Sequence, residues 1–253
     1  MTRLPFTKHY ETPERTAAAV RHYRWIAQHA KPLRQPGLSV ISPLSLTFER
    51  VEGRPAGPED LPRLAALLGD THGAAWTSDL ALAALRTPHR FQDGTVFEDY
   101  LRPRQVALRR RLAQGHLPSK AGLQAMLELL EKSAEGPSSF YKDSNPRNFI
   151  VTEADDIVTV DTDDLTLAPM GYDLAKLIAT LLLTHGALPR DAIDTALAAY
   201  NEAAQSHDAR LGTTDRERLD DFLALHAVLT APYIGRNCYR YSWPAHLRSR
   251  GTS

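Results

Sequence analysis

The stretch FYKDSNPRNFIVTEADDIVTVDTDDLTLAPMGYDLAKLI, residues 140–178, decides the fold and holds most of the polar residues of interest. Its first apolar segments are short and separated by polar turns, a pattern typical of small strands. Asp143 follows the first segment, Asn148 opens the second and Asp161 ends the third. A hairpin of the second and third segments can bring Asn148 and Asp161 to one rim, with Asp143 facing them across the loop. Because carboxylate and amide oxygens suit magnesium, this arrangement predicts a magnesium site beside a further carboxylate.

Working outward, the chain divides into a small mixed part and a larger helical part. Strand character is found over 4–10, 38–42 and 44–51, and a helix is expected from Pro13, with Thr12 as its cap. A connector rich in glycine and proline follows, so we expect an N-terminal α/β lobe over 1–53 and a C-terminal lobe over 54–253. The predicted fold class is α+β, with a cleft between the lobes. Helical spacing of apolar residues is found over 59–76, 79–86, 95–114, 119–135, 171–185, 190–205, 214–231 and 239–248.

Composition excludes several classes of protein. The 253 residues include 30 basic and 30 acidic side chains, so no global positive field favours nucleic acid as a partner. The single cysteine, Cys238, cannot form an internal disulfide, and a reducing, cytoplasmic location is expected. The N-terminus has no secretory pattern, and the longest apolar run, near 174–183, is too short to span a bilayer. We therefore expect no membrane association, and the oligomeric state stays open.

The order of the polar residues in this stretch follows a known family pattern. The chain gives Tyr141-Lys142-Asp143, four residues, Asn148, then Val160-Asp161, then Gly171-Tyr172-Asp173-Leu174-Ala175. This order resembles the catalytic region of the aminoglycoside phosphotransferase and choline kinase-like superfamily, whose fold is protein-kinase-like. There the pattern is His-Gly-Asp, four residues, Asn, a strand ending in Ile-Asp, and a glycine ahead of Asp-Leu-Ala.

The resemblance implies a reaction and a set of roles. It implies Asp143 as catalytic base, Asn148 and Asp161 as magnesium ligands, and Asp173 as a structural carboxylate supporting the catalytic loop. The implied cofactors are ATP and Mg²⁺. The implied reaction is transfer of the γ-phosphate to a hydroxyl of a small molecule: an aminoglycoside-like antibiotic, a sugar, an amino alcohol or a nucleoside.

Two segments nearer the N-terminus extend the resemblance. Residues 46–53 are similar to the family's hinge, which implies that backbone groups near Phe48, Glu49 and Arg50 meet adenine. Lys8 resembles the strand lysine that contacts ATP phosphates. Lys8 lies near the start of the sequence, and the usual glycine-containing phosphate loop is not seen before it, so a reduced N-terminal lobe is expected. Three explanations stay open: the true start lies upstream, the phosphates are covered differently, or ATP binding has been lost.

Other positions depart from the pattern. Glu14 is the nearest candidate for the glutamate that pairs with the family's lysine. Tyr141 and Lys142 replace His-Gly, and the tyrosine can make a supporting hydrogen bond. Lys142 has two open interpretations, since it can lower the pKa of Asp143 or contact a phosphate. Arg147 is interpreted as a phosphate contact, with a plain surface arginine as the alternative.

The remaining candidates concern the acceptor. Asp163 and Asp164 can reach a second metal or the substrate, or can form a solvated acidic loop. We expect the acceptor between the β insertion and the C-terminal helices, near Tyr239 and Trp243.

Non-catalytic interpretations stay open as well. Asp143 and Asn148 suit a turn, since Ser-Asn-Pro lies between them, and Lys8 can be a surface lysine on an edge strand. The second function hypothesis is a catalytically inactive pseudokinase or binding module that recognises a metabolite or a protein. The missing phosphate loop is its main support.

Overall fold

The computed structural model describes residues 4–189 and 191–244, and its N-terminal lobe is a three-stranded antiparallel sheet covered by one helix. The elements are β1 (Phe6–His9), α1 (Pro13–His29), β2 (Leu38–Ser42) and β3 (Ser45–Phe48), with strand order β1-β3-β2. Thr12 caps α1 by accepting a hydrogen bond from the Arg15 backbone amide, as predicted. Ala19 and Val20 of α1 pack on Leu46 of β3, which holds the helix against the sheet.

The described part of the C-terminal lobe contains six α-helices. They are α2 (Leu61–Ala75), α3 (Leu101–Ala113), α4 (Lys120–Ser133), α5 (Tyr172–His185), α6 (Ala192–Gln205) and α7 (Arg216–Thr230). Every side chain of α5 from Tyr172 to Leu183 is buried, which explains why its sequence is apolar on all sides. No helix in the described part of the chain combines the length and apolar character needed to cross a membrane.

Short strands carry the polar loops of this lobe. The strands are β4 (Arg54–Pro55), β5 (His89–Arg90), β6 (Val96–Phe97), β7 (Ser138–Tyr141), β8 (Phe149–Val151), β9 (Ile157–Thr159) and β10 (Thr166–Pro169). They form antiparallel sheets in the order β4-β8-β9, β7-β10 and β5-β6. This pairing brings the loops after β7 and β9 close together at one rim, below the N-terminal sheet.

Helix α1 also joins the two lobes through its other face. Trp25 packs edge-on against Phe97 and Phe140, with ring centroids 4.6 and 5.4 Å apart, and its indole donates to Asp79 at 2.9 Å. The main core of the C-terminal lobe therefore includes residues of α1. The predicted two-lobe α+β arrangement with a reduced N-terminal lobe is confirmed, and the boundary at residue 53 stays a prediction.

Three helix predictions were wrong. The segment 79–86 is the end of a π-turn followed by turns, and the helix expected from residue 95 begins at Leu101. Residues 96–97 pair as a strand instead, because the hairpin from 89 to 97 supplies backbone partners that helical periodicity cannot foresee. Of the helix expected over 239–248, residues 239–244 are not helical, and the rest lies outside the described residues.

Candidate active site

The loop after β7 is held by one buried carboxylate at the start of α5. Asp173 accepts hydrogen bonds from the Ser144 amide at 2.8 Å, the Ser144 hydroxyl at 2.8 Å and the Lys142 amide at 3.4 Å. Burial raises the pKa of Asp173, and these donors act against that rise. The loop therefore has a fixed conformation, and Asp143 adopts a left-handed φ of 60° within it.

Asp143 presents one carboxylate oxygen to the protein. Its Oδ1 accepts from the Tyr141 hydroxyl at 2.7 Å and lies 3.0 Å from Nζ of Lys176. Burial by the surrounding cleft opposes ionisation, but the Lys176 charge and the Tyr141 hydroxyl outweigh it, so the pKa of Asp143 is lowered. The side chain is 54% exposed, and no donor among the described residues binds its Oδ2. Asp143 thus lines the cleft as an ionised carboxylate whose Oδ2 has no donor among the described residues.

Asn148 and Asp161 share one rim, as the sequence predicted. The Val160 amide donates to the Asn148 carbonyl at 2.9 Å, which ties the two loops together. The Asn148 amide nitrogen donates to the Asp143 carbonyl at 3.1 Å, leaving its side-chain oxygen for other contacts. Asp161 has a φ of 61° directly after the β9 hairpin strand.

These two side chains fit a magnesium ion that is completed by phosphates. Magnesium is commonly held by one or two protein carboxylates together with water and substrate phosphates. Within residues 4–189 and 191–244 no group of three or more His, Cys, Asp or Glu side chains could hold a metal ion by itself. Asn148 and Asp161 both line the larger cavity described below, where phosphates can reach them.

Lys8 reaches this rim from β1. Its ammonium lies 2.5 Å from Asp161 Oδ1 and 2.8 Å from Asp163 Oδ1, and the Tyr10 hydroxyl donates to Asp163 Oδ2. Burial lowers the pKa of Lys8, but the hydrogen bonds to both carboxylates outweigh it, so the pKa is raised overall. The expected pairing of Lys8 with Glu14 is wrong, because Glu14 is exposed at the first turn of α1.

Two cavities meet at this rim. One has a volume of about 640 Å³, lies between the lobes and has a mostly apolar wall that includes Phe6, Tyr23 and Phe48. The other has a volume of about 560 Å³ and lies on the far side of Asp143, against the C-terminal helices. Both volumes are in the range of small-molecule sites. The side chains common to both cavities are Lys8, Asp161 and Asp163.

The hinge residues line the first cavity. Phe48, Glu49 and Arg50 lie along its edge, as the resemblance implied. The Glu49 amide, however, donates to the Gly37 carbonyl at 2.8 Å, so that group is not available to a base. Any backbone contact to adenine must come from the other groups of this segment.

Several predicted residues lie elsewhere. The Lys142 ammonium is buried 4.0 Å above the Phe149 ring and has no hydrogen-bond partner in the described chain. Lys142 lines the second cavity and not the first, and its contact with a phosphate stays a prediction. The charge beside Asp143 comes from Lys176 instead. Arg147 is exposed on the second cavity, near Tyr239.

The predicted acceptor residues divide between cavity and core. Asp164 and Tyr239 line the second cavity, whereas Trp243 is buried in the core. The Tyr239 hydroxyl accepts from the Asn145 side chain at 2.6 Å. Asp163 has both oxygens engaged by Lys8 and Tyr10, so it holds the lysine in place.

Sequence reasoning missed two cationic residues of the site. Lys176 lies inside the apolar run near 174–183, and a lysine in a helix that is buried on all sides needs an ionic partner, which was the available signal. Arg104, buried on α3, lines the second cavity and gave no sequence signal of its own.

A further layer supports the start of α5. The Tyr200 hydroxyl accepts from the Gly171 amide at 2.9 Å and lies 2.9 Å from Nδ1 of His72. Burial lowers the pKa of His72 to about 3, so the histidine is neutral at ordinary pH and its Nδ1 can accept the tyrosine proton. Helices α2 and α6 thereby fix the turn that carries Asp173.

Comparisons with known proteins give the family and the fold. The family model described as the phosphotransferase enzyme family matches residues 3–224, and none of the curated proteins compared with the chain matches it. A choline kinase from Streptococcus pneumoniae is similar in structure, with a TM-score of 0.58 and 12% identity over 90% of this chain and 76% of that one. A glucosamine kinase in complex with glucosamine, ADP and inorganic phosphate has a TM-score of 0.51 and 18% identity, over 93% of this chain and 67% of that one. An amicoumacin kinase in complex with AMP-PNP and Ca²⁺ has a TM-score of 0.54 and 14% identity, over 88% of this chain and 71% of that one.

The family match covers far more than half of the chain, and the architecture is shared with small-molecule kinases. The chain belongs to the phosphotransferase enzyme family, the aminoglycoside phosphotransferase and choline kinase-like group, and has its protein-kinase-like fold with a reduced N-terminal lobe.

Proposed function

We propose that the protein transfers the γ-phosphate of ATP to a hydroxyl of a small molecule. The observation that carries this proposal is the position of Asp143, which lines one of two cavities that meet at Lys8 and Asp161. One cavity then holds the nucleotide and the other holds the acceptor. Family membership supports phosphotransfer in general, and the donor and acceptor are the proposed part.

The catalytic step follows from the free oxygen of Asp143. Its Oδ2 accepts a hydrogen bond from the acceptor hydroxyl and aligns that oxygen with the γ-phosphorus. As the new oxygen–phosphorus bond forms, the bond from the γ-phosphorus to the bridging oxygen breaks, ADP leaves and Asp143 takes the hydroxyl proton. Tyr141 and Lys176 hold Oδ1 throughout, so the carboxylate does not need to reorient.

Charge on the phosphates is balanced from both sides of the rim. Lys8 supplies a cation at the junction of the cavities. Magnesium held by Asn148 and Asp161 would neutralise charge on the transferring phosphate. Lys8 pairs with Asp161 and Asp163 here, and phosphates entering the cleft would compete for that ammonium.

The nucleotide fits the first cavity by its chemistry. Phe6, Tyr23 and Phe48 give an apolar wall for a planar base, and the hinge backbone runs along the edge. The structural neighbours bound to ADP or AMP-PNP support the choice of an adenine nucleotide. Choline and glucosamine kinases among the neighbours support a small hydroxyl compound as acceptor.

Titration calorimetry tests the nucleotide part of the proposal. ATP is titrated into wild type and Asp161→Asn, each with and without magnesium. Asp155→Asn is the matched control, because Asp155 lies in the turn of the same hairpin and pairs with Arg63 away from the cleft. We expect magnesium-dependent binding by wild type and the control, and loss of the magnesium dependence in Asp161→Asn. A folded wild type that binds no ATP would reject the kinase proposal and favour a non-catalytic binding module.

A further inference from the structure

The acceptor-side cavity has a basic helical wall. Helices α3, α5 and α7 contribute residues to its lining, and no carboxylate is among those that the structure describes. The carboxylates that line the cavity all lie on the loops after β7 and β9, beside the nucleotide: Asp143, Asp161, Asp163 and Asp164. The cavity is therefore acidic where the transfer occurs and basic where the rest of the acceptor must lie.

Arg104 of α3 is the central residue of this wall. It is 6% exposed and lies 4.5, 4.9 and 4.6 Å from the ring centroids of Tyr100, Tyr141 and Tyr172. Its guanidinium donates to the Tyr100 carbonyl at 2.9 Å and to the Thr166 hydroxyl at 3.3 Å. Both partners are neutral, and within the described ranges no carboxylate lies within ion-pair distance of Arg104. A buried charge without a counter-ion is costly. The three ring faces stabilise the guanidinium, and an anion bound in the cavity would supply the counter-ion that the described residues do not.

The other cations of the wall do not replace Arg104. Lys176 is already neutralised by Asp143 at 3.0 Å. Arg111 donates through Nε and Nη2 to the Leu229 carbonyl near the end of α7, which is a structural use. Arg104 is the buried cation of the helical wall that has neither a carboxylate partner nor a structural role at a helix end among the described residues. Lys142 is also buried and unpaired, but it belongs to the loop after β7 and lies against the Phe149 ring.

The distance to the reacting group suits one small molecule. The Tyr141 ring that stacks on Arg104 carries the hydroxyl that donates to Asp143 Oδ1. A ligand bound by the guanidinium is thus separated from the free oxygen of Asp143 by about one aromatic side chain. Guanidinium presents a planar pair of donors that matches carboxylate and phosphate oxygens.

We propose that the phosphate acceptor is an anionic hydroxyl compound, a hydroxy acid or a phosphate ester, whose anionic group binds Arg104 while its hydroxyl lies at Asp143. This inference rests on the proposed function and specifies the acceptor of the same site. A cationic amine in the same position would face Arg104 with no carboxylate on the helical wall, and like-charge repulsion disfavours it.

Ligands matched in skeleton and different in charge test the proposal. Two series are used: glucosamine, glucose, glucuronate and glucose 1-phosphate, and 3-amino-1,2-propanediol, glycerol, glycerate and glycerol 3-phosphate. Dissociation constants are measured by calorimetry and ligand-observed NMR on protein saturated with AMP-PNP and magnesium, so that anions cannot occupy the nucleotide site. In at least one series we expect an anion to bind about tenfold or more tightly than the neutral and amino compounds. The carboxylate and phosphate arms distinguish the two sources of the anionic group.

Variants on α3 locate the effect. Arg104→Gln should remove most of the preference for anions, and Arg109→Gln, on the exposed face of the same helix, should leave it unchanged. Ala107→Glu places a carboxylate on the same wall with Arg104 still packed, and should also abolish the preference if Arg104→Gln does not fold.

The outcomes separate the two proposals. Amino compounds that bind as tightly as anions, or anions that all bind more weakly than about 10 mM, overturn the anionic acceptor. If AMP-PNP does not bind, the kinase proposal fails, and the anion series is then measured on the nucleotide-free protein with the same variants. If the nucleotide-free protein binds anions and Arg104→Gln weakens that binding, the anion site is sustained. If it binds no anions, the anion site is overturned as well.

Discussion

The contact between α2 and α6 gives a sharp prediction at Gly69. A Cβ atom added there would lie 2.2 Å from the Tyr200 carbonyl oxygen and 2.9 Å from its carbonyl carbon. These are backbone atoms of a buried helix, so no side chain can rotate away to make room. Because the Tyr200 hydroxyl supports Gly171 at the start of α5, the contact also bears on the active site. Gly69→Ala should therefore force α2 and α6 apart.

The magnitude follows from two opposing terms. Overpacking of a close-packed core costs about 1–3 kcal/mol, and a backbone clash this severe belongs at the upper end. Alanine in place of glycine inside a helix returns about 1 kcal/mol through propensity. The net loss of unfolding free energy is about 2 kcal/mol, which lowers Tm by roughly 4–8 °C in a chain of this size.

Gly122 provides a control with the opposite sign. It lies in the first turn of α4, and an added Cβ would be 3.6 Å from the nearest atoms, which is ordinary contact. Gly122→Ala should therefore raise the unfolding free energy by about 0.5–1 kcal/mol. Thermal and urea unfolding of the two variants and wild type measures both effects. A Gly69→Ala variant as stable as wild type, or equal shifts in both variants, would refute the packing argument.

Three further predictions concern ionisable groups. Asp143→Asn should lower kcat by about 10²–10⁴-fold and leave ATP affinity nearly unchanged, and a loss in kcat of less than tenfold would contradict its role as base. Because the Lys176 charge helps to lower the pKa of Asp143, the acidic limb of kcat should move to higher pH in Lys176→Met, and an unmoved limb would count against the ion pair. His72 and His226 are kept neutral by burial, which lowers the pKa of each below the ordinary 6.5. As pH falls, the unfolded chain binds these protons before the folded one does. At pH values under 6.5 the unfolding free energy should therefore decrease, by up to about 1.4 kcal/mol per pH unit for each histidine. A urea midpoint that stays constant from pH 7 to pH 5 would refute this.

The core of the candidate site was predictable because it is local in sequence. Asp143, Asn148 and Asp161 fall within 140–178, where two short strands and their turns fix relative positions over a few residues. Their order and spacing also carry the family pattern. Hairpin geometry then needs little help from the rest of the chain to bring the side chains to one rim.

The long-range partners of these residues were not predictable in the same way. Lys8 was picked out by resemblance, but its partners lie about 150 residues away, and Glu14 looked nearer in sequence. The pairing of β1 with β3 directs Lys8 to the loop after β9, and no periodicity in either segment encodes that meeting. Lys142 had two open interpretations, a contact with phosphate or an effect on the pKa of Asp143, and its burial against Phe149 could not be read from its position in the sequence.

By itself the sequence determined the fold class, the order of the lobes and the group of residues that we propose to handle phosphate, because these depend on local pattern and composition. Tertiary structure alone decided which charges are compensated. Arg104 and Lys176 are both buried cations on helices. Only the packing of α3 and α5 shows that Lys176 has a carboxylate partner and that Arg104 has none within residues 4–189 and 191–244. Electrostatic compensation depends on distances of a few ångströms between distant segments, and those distances exist only once the chain has folded.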